Sequence, residues 1–431
     1  MKLKRLTLYR FALYLMLFAY MTAPALSFKV GIPRIDNPLT VLFVLAGTLA
    51  FITESKIMPA KICTMLLALC AISIWPAIHL GVSSLTQTQF MDIMFFMVLP
   101  FFFYFFYLVL LREADPLARI QKFLTVFALY IAVPPFIELA TGIQFVSATE
   151  SLSLEDGSLK GLFFNPNNLA TTAVCLAPAI LFFFQLQGRN RKEVLKGWGL
   201  FLLLGLAIFA SVSRTAIAAY VLLFALYAVY RKNGLITVVV TGGAALVLSL
   251  IPSRMIQEFL LSLNSNPFLE RFSSRVYLFL YDLGSDNSVS YRQEIYNYFW
   301  NNPPLLLVGY GPKNFRDYFG GHLSNSLGFE NPHSFIIELY LGFGIVSLLG
   351  LMVYVLIYST TVLAKSSLHS KTRVIALAAM GIFLLGGFIP STILRLPFIW
   401  LPCFLIFIYC VCLVPKRTAN NAPPHIEQDL S

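Results

Sequence analysis

The sequence contains few charged residues and few histidines, and its cysteines show no redox or metal-binding spacing. Charged residues make up 12% of the 431 residues, about half the share usual in soluble domains, which excludes an ordinary soluble globular domain. The six cysteines lack CxxC spacing and fall in apolar stretches, so we expect small buried hydrophobic side chains rather than disulfides. No residue cluster has metal-ligand spacing, and we expect no metal or other cofactor.

Apolar and aromatic residues are abundant instead. Apolar residues make up 58% of the chain, and 40 residues are Phe, a composition that lipid can solvate. The first apolar stretch, residues 10–28, is long enough to span a membrane and is followed by many others, so we expect a spanning helix rather than a cleaved signal. Because a spanning helix needs roughly 20 mainly apolar residues, the sequence predicts an all-α polytopic membrane protein of about 12 helices. The predicted spans are 10–28, 38–53, 58–80, 89–111, 119–141, 168–187, 197–213, 215–230, 234–251, 333–363, 373–392 and 394–415.

The distribution of basic residues orients these helices. With the N-terminus in the cytoplasm, 20 of the 31 Lys and Arg fall in short inner loops and tails, as the positive-inside rule requires. Five fall in short outer loops, and six lie in one long outer segment that the rule does not weigh. We therefore predict an inner-membrane protein with both termini in the cytoplasm. The net charge of +11 then reports topology and not a nucleic-acid partner.

This topology divides a single integral membrane domain into four parts. Residues 1–251 hold helices 1–9, residues 252–332 form a large extracytoplasmic loop, residues 333–415 hold helices 10–12, and residues 416–431 form a cytoplasmic tail. A loop as long as 252–332 is uncommon without a function. Ionisable residues within the spans fall in their outer halves, either to snorkel to the outer headgroups or to line a cavity that opens outward. These residues are His79, Asp92, Glu138 and Glu338.

His333 is the candidate base. Asn331 and Pro332 are typical of an N-cap and a first helical position, which predicts that His333 lies in the first turn of the tenth helix, at the outer surface. An imidazole can accept a proton from a hydroxyl near neutral pH. A single interfacial histidine is more often structural, so its neighbours decide between the two interpretations.

Three outer arginines are candidate phosphate ligands. Ser290 and Gln293 match a capping box, which predicts that Arg292 lies in the first turn of a short helix, where an anion binds favourably. Arg214 lies in a tight outer turn between two short helices, and Arg395 lies between the last two spans. The alternatives are a solvated loop arginine for Arg292 and interfacial snorkelling for Arg214.

His333, Arg214 and Arg292 occur in a set of four ordered segments that resembles the O-antigen ligase and polymerase superfamily of bacterial surface-glycan enzymes. The resemblance covers roughly residues 160–350, and its order and spacing are more specific than any one segment. One difference is Ala218, where the ligases carry Leu four residues after the arginine. The segments are GLFFNPN at 161–167, SRT at 213–215, YR at 291–292 followed by GYG at 309–311, and NPH at 331–333 with Gly344.

The resemblance implies a metal-independent, inverting glycosyltransferase with a C-type (GT-C-like) membrane fold. Such an enzyme transfers a glycan from undecaprenyl pyrophosphate to an acceptor hydroxyl on the outer face of the membrane. His333 would deprotonate the acceptor, and Arg214 and Arg292 would bind the pyrophosphate. The secondary candidates for substrate binding are Asn165, Asn167, Glu338 and Arg395.

Three functions remain open from the sequence. A polymerase adds lipid-linked repeats to one another, with a chain-length regulator as a further partner, and the Ala218 difference favours it slightly. A ligase transfers the finished glycan to lipid A core. A transporter of lipid-linked sugar is the alternative of another class, but transporters place ionisable residues near the midplane within paired repeats, and neither feature is visible here.

Overall fold

The computed structural model describes residues 2–54, 58–73, 87–146, 159–211, 213–230, 252–263, 273, 277, 281, 287–311, 318–319, 334–389 and 396–413. Throughout these ranges the regular structure is helical, and no strand occurs in them. This confirms the all-α class that the sequence predicted.

Thirteen α-helices have their bounds within these ranges, and we number them in chain order. α6 and α13 each continue into a short π-helical turn, at Leu181–Leu186 and Tyr409–Leu413. The helices are α1 Lys2–Val30, α2 Asp36–Glu54, α3 Ala60–Ser73, α4 Gln87–Leu111, α5 Pro116–Thr141, α6 Pro166–Ile180, α7 Arg191–Ala210, α8 Arg214–Val229, α9 Ser253–Leu263, α10 Asn287–Asn301, α11 Phe335–Ala364, α12 Ser370–Gly386 and α13 Pro397–Ile408.

Six of these helices are long and apolar enough to cross a membrane: α1, α2, α5, α6, α7 and α11. Shorter apolar helices of 10–17 residues include α3, the second half of α4, α8 and α13 with its π-helical turn. The chain is therefore a membrane protein. The predicted spans 58–80 and 234–251 lie partly or wholly outside the described residues, so the total of twelve stays a prediction.

α6 is the central helix of the bundle. In its membrane-length window 89% of the residues are buried, against 33–44% in the other five long helices. It packs against α5, α7, α8, α12 and α13, so its apolar residues face protein on every side, as in any helix that is hydrophobic all round and buried. Elsewhere α11 packs along α3, where Gly350 meets Ala68 and Ile72 and the Ser347 hydroxyl donates to the Ala71 carbonyl (2.9 Å). Small residues permit this close approach.

Ion pairs between helices gather at one end of the bundle, which we call the basic end. Glu54 accepts from Arg5 and Arg112, and Glu113 pairs with two further arginines. These bridges tie α1, α2, α4 and α5 together where α1 begins and α2 and α4 end. The interhelical pairs are Arg5–Glu54 (3.2 Å), Arg112–Glu54 (2.8 Å), Arg10–Glu113 (2.6 Å), Arg119–Glu113 (2.8 Å) and Arg189–Asp115 (2.5 Å).

The opposite end, which we call the site end, is where α6, α8, α11 and α13 begin and where α5 and α12 end. The ion pair between Arg34 and Asp36 (2.6 Å) is local and closes the turn before α2. The Phe163 ring, just before α6, contacts Phe398 of α13 with centroids 5.6 Å apart. Among the described residues, interhelical ion pairs thus lie at the basic end, whereas backbone and apolar contacts connect the helices at the site end.

Two helices begin at residues other than those predicted. α10 is already helical at Asn287, where the described residues resume, so Ser290 lies inside the helix and is not its N-cap, and Arg292 lies beyond the first turn. α11 begins at Phe335 with Ser334 in extended backbone as its N-cap. The predicted start at Pro332 is therefore wrong, and His333 precedes the helix.

The long segment 252–332 contains α9 and α10, and much of the remainder lies outside the described residues. In α9 Leu260 is buried, whereas Met255 and Phe259 are exposed. Arg254 and Glu258 form an i,i+4 ion pair of 2.9 Å on its polar side.

Candidate functional site

The structure describes five of the seven predicted site residues. Arg214, Arg292, Asn165, Asn167 and Glu338 belong to or adjoin α8, α10, α6 and α11. His333 and Arg395 lie outside the described residues, so their predicted roles are carried forward as proposals.

Asn165 and Asn167 form the start of α6. The Asn165 side chain caps the helix, with its Oδ1 atom accepting from the Asn167 amide at 2.7 Å. Pro166 occupies the first helical position, where its missing N–H costs nothing. The Asn167 carbonyl accepts from the Thr171 hydroxyl (2.8 Å). Asn165 therefore fixes where the central helix begins, a structural role that the sequence analysis had not assigned to it.

Glu138 holds the segment that leads into α6. It is 5% exposed and lies near the end of α5. One carboxylate oxygen accepts from the Lys160 amide (2.9 Å) and from the Gly161 amide (2.7 Å). Gly161 has a left-handed φ of 55° and packs against Pro135, where a Cβ would come within 3.0 Å of the ring. Glu138 is thus a residue that fixes the loop of the GLFFNPN segment.

Sequence reasoning grouped Glu138 with the interfacial carboxylates and missed this role. Gly161 in the GLFFNPN segment was the one residue that could have indicated a tight turn at this place. The neighbouring Lys160 is also buried, with 3% exposure. A buried cation beside a buried carboxylate was not predictable, because the two are brought together only when α5 packs beside α6.

Arg292 contacts the end of α12. Its guanidinium donates to the Phe388 carbonyl at 3.2 Å. The adjacent Gly387 carbonyl accepts from the Phe335 amide at 3.0 Å, at the first residue of α11. Two consecutive carbonyls after α12 therefore receive one donor from α10 and one from α11, which brings Arg292 to the start of α11.

Gly387 permits the close contact between the end of α12 and the start of α11. A Cβ there would lie within 3.0 Å of the Phe335 ring. Phe335 is fully buried and its amide is satisfied by Gly387 rather than by a capping side chain. The tertiary contact therefore explains why α11 begins at Phe335 and not at the Asn-Pro pair.

Glu338 lies in the first turn of α11 and is 7% exposed. Its amide donates to the Ser334 carbonyl at 2.8 Å. A carboxylate near a helix N-terminus is stabilised by the helix dipole. The structure thus places Glu338 inside the protein at the site end, rather than snorkelling to a surface.

α11 is broken at Gly344, which has φ 76° and ψ −170°. Residues 306–311 lie against the break: Tyr310 and Gly311 donate to the Leu341 and Gly342 carbonyls (2.7 and 2.8 Å), and the Ile345 amide donates to Leu306 (3.3 Å). The backbone groups released by the break are thus bonded by residues 306–311, with the GYG segment supplying two of the three bonds. Two segments of the family resemblance, far apart in sequence, form one joint.

A tyrosine-rich cluster covers this joint. Tyr318, Phe299 and Tyr340 are among the rings that pack together there, with Phe299 and Tyr340 centroids 6.1 Å apart. Burial raises the pKa of Tyr318 to about 12. Burial also raises the pKa of Tyr296, one turn from Arg292, although the Arg292 charge acts in the opposite direction. Both hydroxyls stay protonated near neutral pH, so neither is a base.

Arg214 lies at the site end because α7 and α8 are antiparallel. Gln185, at the end of α6, donates to the Val194 carbonyl near the start of α7 (2.7 Å). Phe201 of α7 stacks on Tyr220 of α8 (4.6 Å), and Trp198 contacts Tyr227 (5.6 Å). Because α7 starts where α6 ends, α8 starts where α6 starts, and Arg214 is its first residue.

The described candidates thus share one end of the bundle. Asn167 lies one turn from Thr171, and Thr171 adjoins Gly386 at the end of α12. Arg292 donates to a carbonyl two residues after Gly386. Among the described residues no group of three or more His, Cys, Asp or Glu could hold a metal ion. Metal independence stays a prediction.

Residues 198–352 match a family described as O-antigen ligase. The matched region covers somewhat more than a third of the chain and includes Arg214, Arg292, Glu338 and both halves of the Gly344 joint. No curated protein matches the sequence. The resemblance to the O-antigen ligase and polymerase superfamily is thereby confirmed, and it supports a ligase- or polymerase-type membrane enzyme of the bacterial envelope.

Proposed function

We propose that this chain is a glycosyltransferase of the O-antigen ligase and polymerase superfamily that joins lipid-carried glycans outside the inner membrane. The donor is an undecaprenyl pyrophosphate-linked glycan, and the acceptor is a hydroxyl of a second glycan. The site end faces outward, with both termini in the cytoplasm. The positive-inside distribution of Lys and Arg supports this orientation.

The contact between Arg292 and Phe388 supports this function most directly. It brings a guanidinium from the long loop to the helix end where α11 begins. His333 precedes Ser334 by one peptide bond, so a base and a cation from separate parts of the sequence would act at the same helix start. Arg214 begins α8 at this end of the bundle.

In the proposed reaction, His333 takes the proton of the acceptor hydroxyl. The oxygen attacks the anomeric carbon of the donor as the bond from that carbon to the pyrophosphate oxygen breaks. Undecaprenyl pyrophosphate leaves with the bonding electrons, and the attack from the opposite face inverts the anomeric centre. Arg214 and Arg292 stabilise the charge that develops on the leaving phosphate, with Arg395 as a further cation. Asn165, Asn167 and Glu338 position the acceptor or the base.

We place polymerisation of repeat units first, with a chain-length regulator as a partner, because Ala218 stands where ligases carry Leu. Transfer of the finished glycan to lipid A core is the second candidate, favoured by the description of the matched family. Reconstitution with lipid-linked repeats alone separates the two. A polymerase elongates the repeats without lipid A core, whereas a ligase requires it.

Replacement of the base tests the chemistry. His333→Ala is expected to abolish transfer while leaving the amount of folded protein unchanged. The matched control is His369→Ala, an exposed histidine at the start of α12 at the basic end, which should retain activity. In cells, lipid-linked donor should accumulate on the outer side of the membrane. Accumulation on the inner side would instead indicate a transporter, and full activity of His333→Ala would exclude this histidine as the base.

A further inference from the structure

The segment that follows α10 is extended and presents two leucines away from the protein. Residues 303, 305 and 307 are exposed, whereas 304, 306 and 308 are partly buried. This period of two is that of an extended chain. Leu306 packs against the tyrosine-rich cluster, while Leu305 and Leu307 are 101% and 68% exposed. Trp300, at the end of α10, is 72% exposed.

Leu305 and Leu307 form an apolar edge, and the backbone of this segment is hydrogen-bonded to α11. The Tyr340 hydroxyl donates to the Pro304 carbonyl and accepts from the Leu306 amide (3.3 Å). The Leu306 carbonyl accepts from Ile345. Non-helical backbone can lie at membrane depth where protein satisfies its polar groups, and these bonds do so for the Pro304 carbonyl and for the amide and carbonyl of Leu306.

The depth of the α11 break in the membrane follows from the length of the helix after it and from which side chains of α11 are exposed. No residue from 335 to 344 is exposed. Exposed apolar side chains begin at Ile345 and continue with Leu349, Met352 and Leu356. Residues 345–364 alone span roughly 30 Å at 1.5 Å per residue, about the thickness of the hydrocarbon core. The break therefore lies near one edge of the hydrocarbon, and the lipid-facing stripe of α11 starts directly beside Leu306.

We propose that Leu305 and Leu307, flanked by Trp300, lie in the outer leaflet of the bilayer and anchor the long loop there. The occupant of this edge is lipid, because the edge continues the lipid-facing stripe of α11 across the Leu306–Ile345 hydrogen bond. Large aromatic residues such as Trp300 are enriched at this level of a membrane. The choice of the outer leaflet rests on the orientation proposed above, whereas the contact of this segment with lipid is independent of the proposed reaction.

Tryptophan fluorescence in lipid vesicles tests this location. The probes are Trp300→Phe/Leu305→Trp and Trp300→Phe/Leu307→Trp, each measured as the difference from Trp300→Phe alone. Trp300→Phe/Gln293→Trp is the matched control, because Gln293 is an exposed polar residue of α10. Each protein is reconstituted into phosphatidylcholine with or without bromine on the acyl chains and titrated with aqueous iodide.

We expect the probes at 305 and 307 to emit at shorter wavelength than the control, to lose most of their emission to brominated lipid and to resist iodide. The probe at 293 should show the reverse. Iodide quenching at 305 and 307 equal to that at 293 would place the edge in water and overturn the proposal. Resistance to both quenchers would indicate coverage by protein, such as a second copy of the chain, and would overturn it equally.

Discussion

Gly309 and Gly344 lie backbone against backbone at the break in α11. A Cβ on Gly309 would come within 3.0 Å of the Gly342 and Phe343 backbone, and one on Gly344 would come within 3.0 Å of Leu307 and Val308. Both glycines also have left-handed φ angles, 88° and 76°. The joint therefore requires glycine at both positions for two reasons, conformation and space.

Gly344→Ala should destabilise the protein. Its backbone region is almost exclusive to glycine and costs about 1–3 kcal/mol for another residue, and the clash with the Leu307 carbonyl adds to that cost. We expect a lower thermal midpoint in detergent and a loss of activity. The control is Gly381→Ala in α12, where a Cβ meets nothing within 4 Å. Alanine there should stabilise the helix by up to about 1 kcal/mol. Equal midpoints for the two variants would contradict the close joint.

Glu138→Ala should displace the segment that leads into α6. Two buried amides would lose their acceptor, at a cost of about 1–3 kcal/mol each. We expect kcat/KM for the lipid-linked donor to fall more than the amount of folded protein does. Glu138→Gln keeps an uncharged oxygen acceptor and should recover part of the activity. If alanine and glutamine behave alike, the carboxylate does not hold the loop through these bonds.

Arg292→Lys tests whether the several N–H donors of the guanidinium are needed. Lysine keeps the charge but cannot both donate to Phe388 and bind a phosphate in two places. Loss of a charge-assisted hydrogen bond of about 1.5–3 kcal/mol predicts a drop of roughly 10- to 100-fold in kcat/KM. Arg254→Lys, on the exposed surface of α9, is the control and should leave kcat/KM unchanged. Wild-type activity of Arg292→Lys would argue against bidentate phosphate binding.

Glu113→Gln should lower stability without changing the chemistry. Glu113 pairs with Arg10 and Arg119 at the basic end, far along the helices from the site end. We expect the free energy of unfolding to fall by about 1 kcal/mol, with unchanged turnover per folded molecule. Glu258→Gln breaks an exposed i,i+4 pair and should cost less. A selective loss of turnover in Glu113→Gln would show that the two ends are coupled.

The Asp115–Arg189 pair predicts an acid-dependent contribution to stability. The Arg189 guanidinium and the Ala118 amide lower the pKa of Asp115, which caps α5. A lowered carboxyl pKa stabilises the fold above the unfolded value of about 3.9, and the contribution is lost as the pH falls through the folded pKa. Asp115→Asn should therefore lower the thermal midpoint at pH 7, and the difference from wild type should shrink at strongly acidic pH. Because the pair is exposed, the effect should be small.

Much of the fold follows from the sequence because lipid imposes a simple rule: backbone polar groups in hydrocarbon must be bonded within the protein, and an apolar helix achieves this by itself. Long apolar stretches such as those of α1, α5 and α7 were therefore recognisable. The helix starts at Ser290 and Pro332 were predicted wrongly because several residues near each could cap a helix. Tertiary contacts, such as that between Phe335 and Gly387, determine the residue at which α11 begins.

The sequence by itself determined the class of protein, the candidate cations and the resemblance to the O-antigen ligase and polymerase superfamily, since these depend on composition, charge order and motif spacing. Only the tertiary structure decided that Glu138 binds the Lys160 and Gly161 amides, that Arg292 meets the end of α12, and that the GYG segment fills the break at Gly344. Each of these joins backbone groups distant in sequence. No local pattern encodes such a pairing, because it depends on which helix ends the packed bundle brings together.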